Sequence, residues 1–359
     1  MQNPSSRTNT RQWSKDVPKI LERSPLYLHL HTCIEQDQEL ISLQELIATD
    51  EPFPVLFFAV INYLLFSEQG RQHPFAAFHP YLTPTPRPIQ ESYPAFRDFV
   101  HVYGEELRSL LPNARLQTNE VTRCANLLPV FELVSRRGGH QPLALIEIGA
   151  SAGFNLYWDH YTYLYHRGDH TAYTIGEASS PVQIHCTLQG EHMPPFPTTM
   201  PIVASRIGLD LMPLDCLNPQ DIRKLQACIW PEETWRYQLL DATLTVVQQN
   251  PPRLLAGDAS DLLPNLLTAI PAEHTICLYH SFALLHNPPA TRDRIFDLLA
   301  AYSKTHTLYR ISLEWDHFNR WPTPHLELFT YQGGKQTQQE WLANCSVHGE
   351  TLEWLSAVG

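Results

Sequence analysis

Leu143-Ala144-Leu145-Ile146-Glu147-Ile148-Gly149-Ala150-Ser151-Ala152-Gly153 decides how this chain is read. An apolar run of strand type ends in an acid. It turns through small residues and leads into Phe154–Tyr161, a segment of helical character. In α/β proteins a strand, a glycine-rich turn and a helix bring backbone N–H groups to an anionic or polar ligand. Glycines at 149 and 153 permit a tight turn and let a ligand approach the backbone closely. Glu147 stands where the strand stops. Its carboxylate accepts hydrogen bonds but repels phosphate. That favours a nucleoside without a pyrophosphate, such as S-adenosylmethionine (SAM), over a dinucleotide.

Downstream, short apolar runs alternate with helical patterns, which indicates βαβ units and a mostly parallel sheet. Strands are expected at Ile202–Asp210, Arg253–Ala259, Thr275–Ser281 and Leu308–Trp315. Helices are expected over Pro231–Gln249 and around Arg292–Tyr302. His325–Tyr331 and Thr351–Leu355 read as a closing antiparallel pair. Residues 162–200, rich in Tyr, His, Pro and Gly, read as an insertion with a hairpin near Val182–Leu188.

Upstream, residues 1–24 read as a polar tail and 25–139 as a helical cap domain. Pro54–Phe66 is apolar all round. Phe96, Phe99, Val100, Tyr103, Leu107, Leu110 and Leu111 form one stripe at helical spacing. Val121, Cys124, Ala125, Leu128, Phe131 and Val134 form another, with Pro129 inside it and Gly138-Gly139 closing it. Thr83–Pro88 is a proline-rich extended loop. Residues 140–359 then form the α/β domain.

With 359 residues, 43% hydrophobic and 17% charged, the chain is expected to be globular. Its formal net charge of −12, without a Lys/Arg block, argues against nucleic acid or an anionic membrane as partner. The polar opening Met1–Thr8 lacks a signal-peptide core, and Val55–Phe66 is too short to span a bilayer. Seven scattered cysteines without a Cys-x-x-Cys suit a reducing cytoplasm. Eighteen histidines include no zincin spacing, and no metal site is expected.

Ligands of an open parallel sheet bind at the carboxyl ends of its strands. Glu147, Asp210, Asp258, His280 and Ser281 stand at those ends. Asp210 is placed to meet ribose hydroxyls, provided the insertion loops out between it and the glycine turn. Asp258-Ala259 is placed to meet an adenine edge. The competing reading makes each Asp a strand-end turn or helix cap. Gly149–Gly153 also fits Gly-x-Ser-x-Gly, and Ser151, Asp258 and His280 follow in the order of an α/β-hydrolase triad. Against that, no His-Gly-Gly oxyanion motif lies upstream, and Glu147 is close to where an oxyanion would form. Gln117-Thr118-Asn119-Glu120 with Arg123 is denser in polar groups than one helix cap needs. Asn119, Glu120 and Arg123 are therefore candidates to hold a substrate from the helical cap. The capping alternative places Thr118 or Asn119 at the helix N-terminus. The aromatic-rich stretch Ala227–Arg236 reads as packing at a helix start.

Taken together, several stretches resemble the bacterial domain of unknown function 2332 family. They are Ser24–Tyr27, Pro54–Leu56, Gln117–Val121 with Arg123, Ile146–Leu156, Arg206–Asp210, Cys228–Pro231, Gly257–Ala259 and His280-Ser281. Phe154 stands where that family usually carries Leu. The resemblance implies a methyltransferase-like Rossmann domain behind a helical N-terminal region, and implies no known reaction. The expected function is a SAM-dependent methyltransferase-like enzyme acting on an unknown small-molecule acceptor. Glu147, Gly149, Ser151, Gly153, Asp210, Asp258 and Ala259 would bind the cofactor. Asn119, Glu120, Arg123 and His280 would form the catalytic side. A serine hydrolase using Ser151 and a non-catalytic nucleoside-binding module are the alternatives.

Overall fold

A computed structural model describes residues 21–47, 53–168, 170–315 and 323–355. Most of the expected polar tail lies outside them. Two compact units result: Met1–Thr118 with Asn218–Leu240, and Asn119–Leu217 with Asp241–Gly359. In chain order the α-helices are α1 (Pro25–Ile34), α2 (Gln38–Ser42), α3 (Phe53–Leu65), α4 (Glu68–Gln72), α5 (Ser92–Val102), α6 (Gly104–Leu110), α7 (Cys124–Arg137), α8 (Pro219–Ala227), α9 (Thr234–Val247), α10 (Ala259–Ala269) and α11 (Pro289–Tyr302). The strands are β1 (Leu143–Ile148), β2 (Thr162–Arg167), β3 (His170–Gly176), β4 (Gln183–Gln189), β5 (Val203–Asp210), β6 (Arg253–Ala256), β7 (Thr275–Ser281), β8 (Leu308–Glu314), β9 (His325–Gln332), β10 (Lys335–Cys345) and β11 (Thr351–Trp354).

The first unit is helical with an aromatic core. Tyr27 stacks on Phe58 at 4.3 Å, and Phe96 and Phe75 meet edge to face at 5.3 Å. Ser24 caps α1 by accepting from Tyr27 N–H. Glu232 then takes the Ser24 hydroxyl at 2.5 Å and Leu26 N–H at 2.7 Å. Trp230 lies edge-on to Tyr27 at 6.5 Å. Ser24–Tyr27 and Cys228–Pro231 therefore meet as packing and capping partners, as expected for the second stretch. The single stripe from Phe96 to Leu111 is broken: α5 ends at Val102, α6 starts at Gly104, and Tyr103 between them leaves helical geometry (ψ 20°).

The second unit carries one eleven-stranded sheet in the order β3-β2-β4-β11-β10-β9-β8-β7-β1-β5-β6. From β6 to β8 every pairing is parallel. In chain order those five strands run third, second, first, fourth, fifth, so the winding reverses between β1 and β7. Here ligand crevices of open parallel sheets form. β9 turns back antiparallel on β8, as expected for a closing strand. It does not pair with Thr351–Leu355, because β10 lies between them. The insertion is no excursion: β2 and β3 form its hairpin, while Gln183–Gln189 runs parallel between β2 and β11.

α7 was expected in the helical cap but is grouped with the sheet-bearing unit. Residues 124–135 are all buried, polar Asn126, Glu132 and Ser135 among them. The helix touches β4, β7, β8 and β9. A helix buried on all sides packs as a core element and not as a lid. The opposite sheet face packs on α10 and α11 through Ile146, Ile148, Leu209, Leu278, Leu263 and Leu299.

Candidate functional site at the strand ends

The turn after β1 is held in conformations that L-residues avoid. Gly149, Ser151 and Gly153 have φ of 73°, 52° and 74°. Gly149 is required for space as well. A Cβ there would stand 2.3 Å from the Cβ of Ala283, in the turn after β7. Beside it, Phe282 also has positive φ, 52°. A bulky residue with left-handed backbone is uncommon, and such strain concentrates at functional sites. Ser151 and Phe282 follow the two strands, β1 and β7, between which the winding reverses. Gly208 of β5 lets this turn sit close, since a Cβ there would lie 2.6 Å from Ala150 Cβ.

The N–H groups of the turn are mostly taken by the protein. Gly149 and Ala150 both donate to Leu209 C=O, at 2.8 and 3.1 Å. Ser151 N–H donates to Asp210 Oδ2 at 2.8 Å. Gly153 donates to Ala150 C=O at 2.7 Å, and Phe154 N–H donates to Asn119 Oδ1 at 2.9 Å. Phosphate-binding turns leave such donors open.

Acceptors line the neighbouring strand ends. Asp210 Oδ1 takes Met212 N–H at 2.9 Å, and its own C=O takes Gly257 N–H at 2.9 Å. Asp258 caps α10, accepting from Ser260 N–H at 2.7 Å. The strand-end turn and helix-cap roles are thus both present. Each carboxylate oxygen retains a second lone pair. Asp210 and Asp258 are half-buried, whereas Ala259 is buried. The Ser151 hydroxyl is buried with no hydrogen-bond partner.

Glu147 lies beneath the turn, 1% exposed. Asn155 Nδ2 donates to its Oε1, and the Tyr279 hydroxyl pairs with Oε2, both at 3.3 Å. Burial raises its pKa to about 8, so it is a neutral acid at pH 7.

Asn119 does not cap the helix that follows it in the chain; it accepts the first N–H of the 3-10 helix Phe154–His160. Its amide braces the glycine turn, and α7 starts only at Cys124 after a short 3-10 turn over Val121–Arg123. Glu120 is buried, accepting from the Thr122 hydroxyl at 2.7 Å and pairing with His348 at 3.2 Å. Arg123 donates to Val347 C=O at 3.0 Å and to Ser281 Oγ at 3.4 Å, and stacks over the Phe282 ring at 4.3 Å. Asn119, Glu120 and Arg123 belong to the sheet-bearing unit, not to the helical one.

His280 departs from this group. Successive strand residues face opposite sides, so Tyr279 and Ser281 face Glu147 and Arg123 while His280 faces away. Its Nδ1 pairs with Glu314 Oε1 at 2.6 Å, and Arg310 donates to its Nε2 at 3.0 Å. Arginine only donates, so Nε2 accepts and Nδ1 carries the proton. Burial lowers the His280 pKa and keeps the ring neutral, although Glu314 opposes the shift. The Glu314 carboxylate, despite burial, is held below the ordinary range by His280 and by Leu284 and Ala283 N–H.

Sequence reasoning missed Tyr279, Asn155, Phe282 and Glu314. Asn155 lies inside the stretch Ile146–Leu156 without having been given a role, and Tyr279 neighbours His280-Ser281. Nothing local marks Phe282 or Glu314. All seven cysteines are free. Among the described residues, no helix is long and apolar enough to cross a membrane, and no three His, Cys, Asp or Glu side chains are grouped to hold a metal ion.

No curated protein matches the chain. The stretches at 119–123, 146–156, 206–210, 257–259 and 280–281 converge on the strand ends, while 24–27 and 228–231 bind the helical unit together. The family model described as an uncharacterized protein conserved in bacteria (DUF2332) matches residues 19–354, and the chain belongs to that bacterial family.

Proposed function

We propose that the carboxyl ends of β1, β5 and β6 bind SAM, and that the protein is a methyltransferase-like enzyme acting on a small-molecule acceptor. One observation carries this reading. The glycine turn donates its N–H groups to Leu209, Asp210 and Asn119, while carboxylate acceptors stand beside it. A rim rich in acceptors and poor in open donors suits hydroxyls and amines, and repels a pyrophosphate. The third-second-first-fourth-fifth winding, shared with doubly wound nucleotide-binding sheets, supports the same location.

The residues fit an adenosine group. Asp210 retains lone pairs for ribose hydroxyls. Asp258, beside the small Ala259, retains one for an exocyclic amine. Gly149 and Gly153 keep the turn low, and Ser151 brings a hydroxyl with no protein partner. Glu147, as a neutral acid, supports the turn without adding charge. When bound, SAM supplies an electrophilic methyl group. Methyl transfer then depends mainly on holding the acceptor in line. Asn119 and Arg123 serve as positioning residues, since their contacts with Phe154, Ser281 and Phe282 fix the turns after β1 and β7, while Glu120 pairs with His348 in the turn before β11.

The hydrolase reading lacks its base. Both His280 nitrogens are engaged by Glu314 and Arg310, on the sheet face away from Arg123 and Glu147. A thermal-shift series on the whole chain tests the proposal. SAM and S-adenosylhomocysteine should raise Tm and NAD should not. A response to NAD alone, or to none of them, overturns it. Labelling of Ser151 by a fluorophosphonate would instead establish the hydrolase. SAM binding without methyl transfer to any acceptor would leave a nucleoside-binding module.

A further inference from the structure

A cavity of about 440 Å³ lies on the His280 side of the sheet, over β8, β9 and β10. It is separate from the strand-end rim and does not depend on how the rim is read. Antiparallel pairing sets Arg310 opposite Phe329, Ser312 opposite Glu327 and Glu314 opposite His325. β10 adds Gln339 and Trp341. Arg310, Ser312, Glu314 and His325 are each at most 7% exposed. Sheet faces at such depth are normally apolar, and buried polar groups are costly unless hydrogen-bonded.

The interior is organised. The Arg310 guanidinium lies between Phe329 and Phe296, at 3.6 and 4.4 Å from the ring centroids. One of its nitrogens holds His280, and its Nε has no hydrogen-bond partner. Toward the mouth, Gln339 Nε2 donates to Glu327 Oε1 at 2.9 Å, and Trp341 stacks on His325 at 4.0 Å. Trp341 and Trp315 are 37% and 36% exposed.

We propose that this cavity binds a neutral, hydroxyl-bearing ring of monosaccharide size. The volume lies within the range of about 300–1,000 Å³ for small-molecule sites. One guanidinium faces two carboxylates, Glu314 and Glu327, with His280 neutral, so a further anion is disfavoured. Donors and acceptors alternate along the wall, Gln339, Glu327 and Ser312, as a ring bearing several hydroxyls requires. The two indoles at the mouth offer an apolar surface for the C–H face of such a ring.

Tryptophan fluorescence and calorimetry on the whole chain test this, with glucose, galactose, mannose, N-acetylglucosamine, ribose and myo-inositol as probes. Choline and citrate serve as cationic and anionic comparisons. At least one neutral ring should bind saturably and perturb the fluorescence. Trp341→Ala and Glu327→Gln should each weaken it about tenfold or more. Gln339→Ala, at an exposed position, reads the same loss if Trp341→Ala fails to fold. Binding of choline or citrate alone, no binding by any neutral ring, or binding undiminished in every folded variant overturns the proposal.

Discussion

Replacing Glu147 by glutamine should remove a pH dependence that the wild-type protein carries. The carboxyl is 1% exposed and is bonded to Asn155 and Tyr279, and burial lifts its pKa to about 8 from an ordinary 4.5. Between those values the unfolded chain has released the proton while the folded protein retains it. Stability is therefore fully present below about pH 4.5 and falls as pH rises toward 8, by about 1.4 kcal/mol per pH unit. Across the window the loss is on the order of 3 to 5 kcal/mol. Glutamine mimics the neutral acid: its carbonyl accepts from Asn155 and its amide donates to Tyr279. Urea denaturation followed by circular dichroism from pH 5 to 8.5 measures the difference between the two proteins. Glu147→Gln should gain on wild type steadily as pH rises, then level off above pH 8. A difference that stays flat across the range would refute the buried neutral acid.

Asn119→Ala should destabilise by about 1 kcal/mol, because the N–H of Phe154 loses its acceptor, whereas Asn119→Asp should cost less in urea titrations. Gly149→Ala should cost about 2–4 kcal/mol, from the clash with Ala283 and the positive φ. Ala283→Gly in the same chain should recover the steric part and leave about 1 kcal/mol of backbone strain, read from Tm. His79 in the helical unit has its pKa lowered by burial to about 3. Acidification below about pH 6.5 protonates the unfolded chain first, so stability falls by about 1.4 kcal/mol per pH unit and His79→Gln should flatten that slope.

The parallel core was legible because its strands announce themselves. β1, β5, β6, β7 and β8 are short runs rich in Leu, Ile and Val, with Glu147, Asp210, Asp258, His280 and Glu314 at or near their carboxyl ends. β10 was not, since its outer half, Lys335–Glu340, is polar and mostly exposed, with no apolar alternation to read. β4 showed its alternation, but its parallel partners β2 and β11 are fixed by contacts distant in sequence. Periodicity identified α7 as a helix and gave one apolar stripe. Its polar side is buried too: Asn126 donates to Thr351 C=O at 3.1 Å and Glu132 pairs with Arg136 at 2.6 Å. Only the sheet around it reveals that. At the site, types of residue were readable but directions were not. Asp210 was found, yet the alternation that turns His280 away from Arg123 needs the exact register of β7.

The proposed site holds an adenosine at the strand ends by its hydroxyls and amine. Its most direct test is calorimetric titration of S-adenosylhomocysteine into the intact chain and into Asp258→Asn, with NAD as the competitor ligand. Saturable binding that Asp258→Asn weakens about tenfold, with no heat from NAD, is the predicted result. Absence of binding by S-adenosylhomocysteine, or equal binding by NAD, would contradict it.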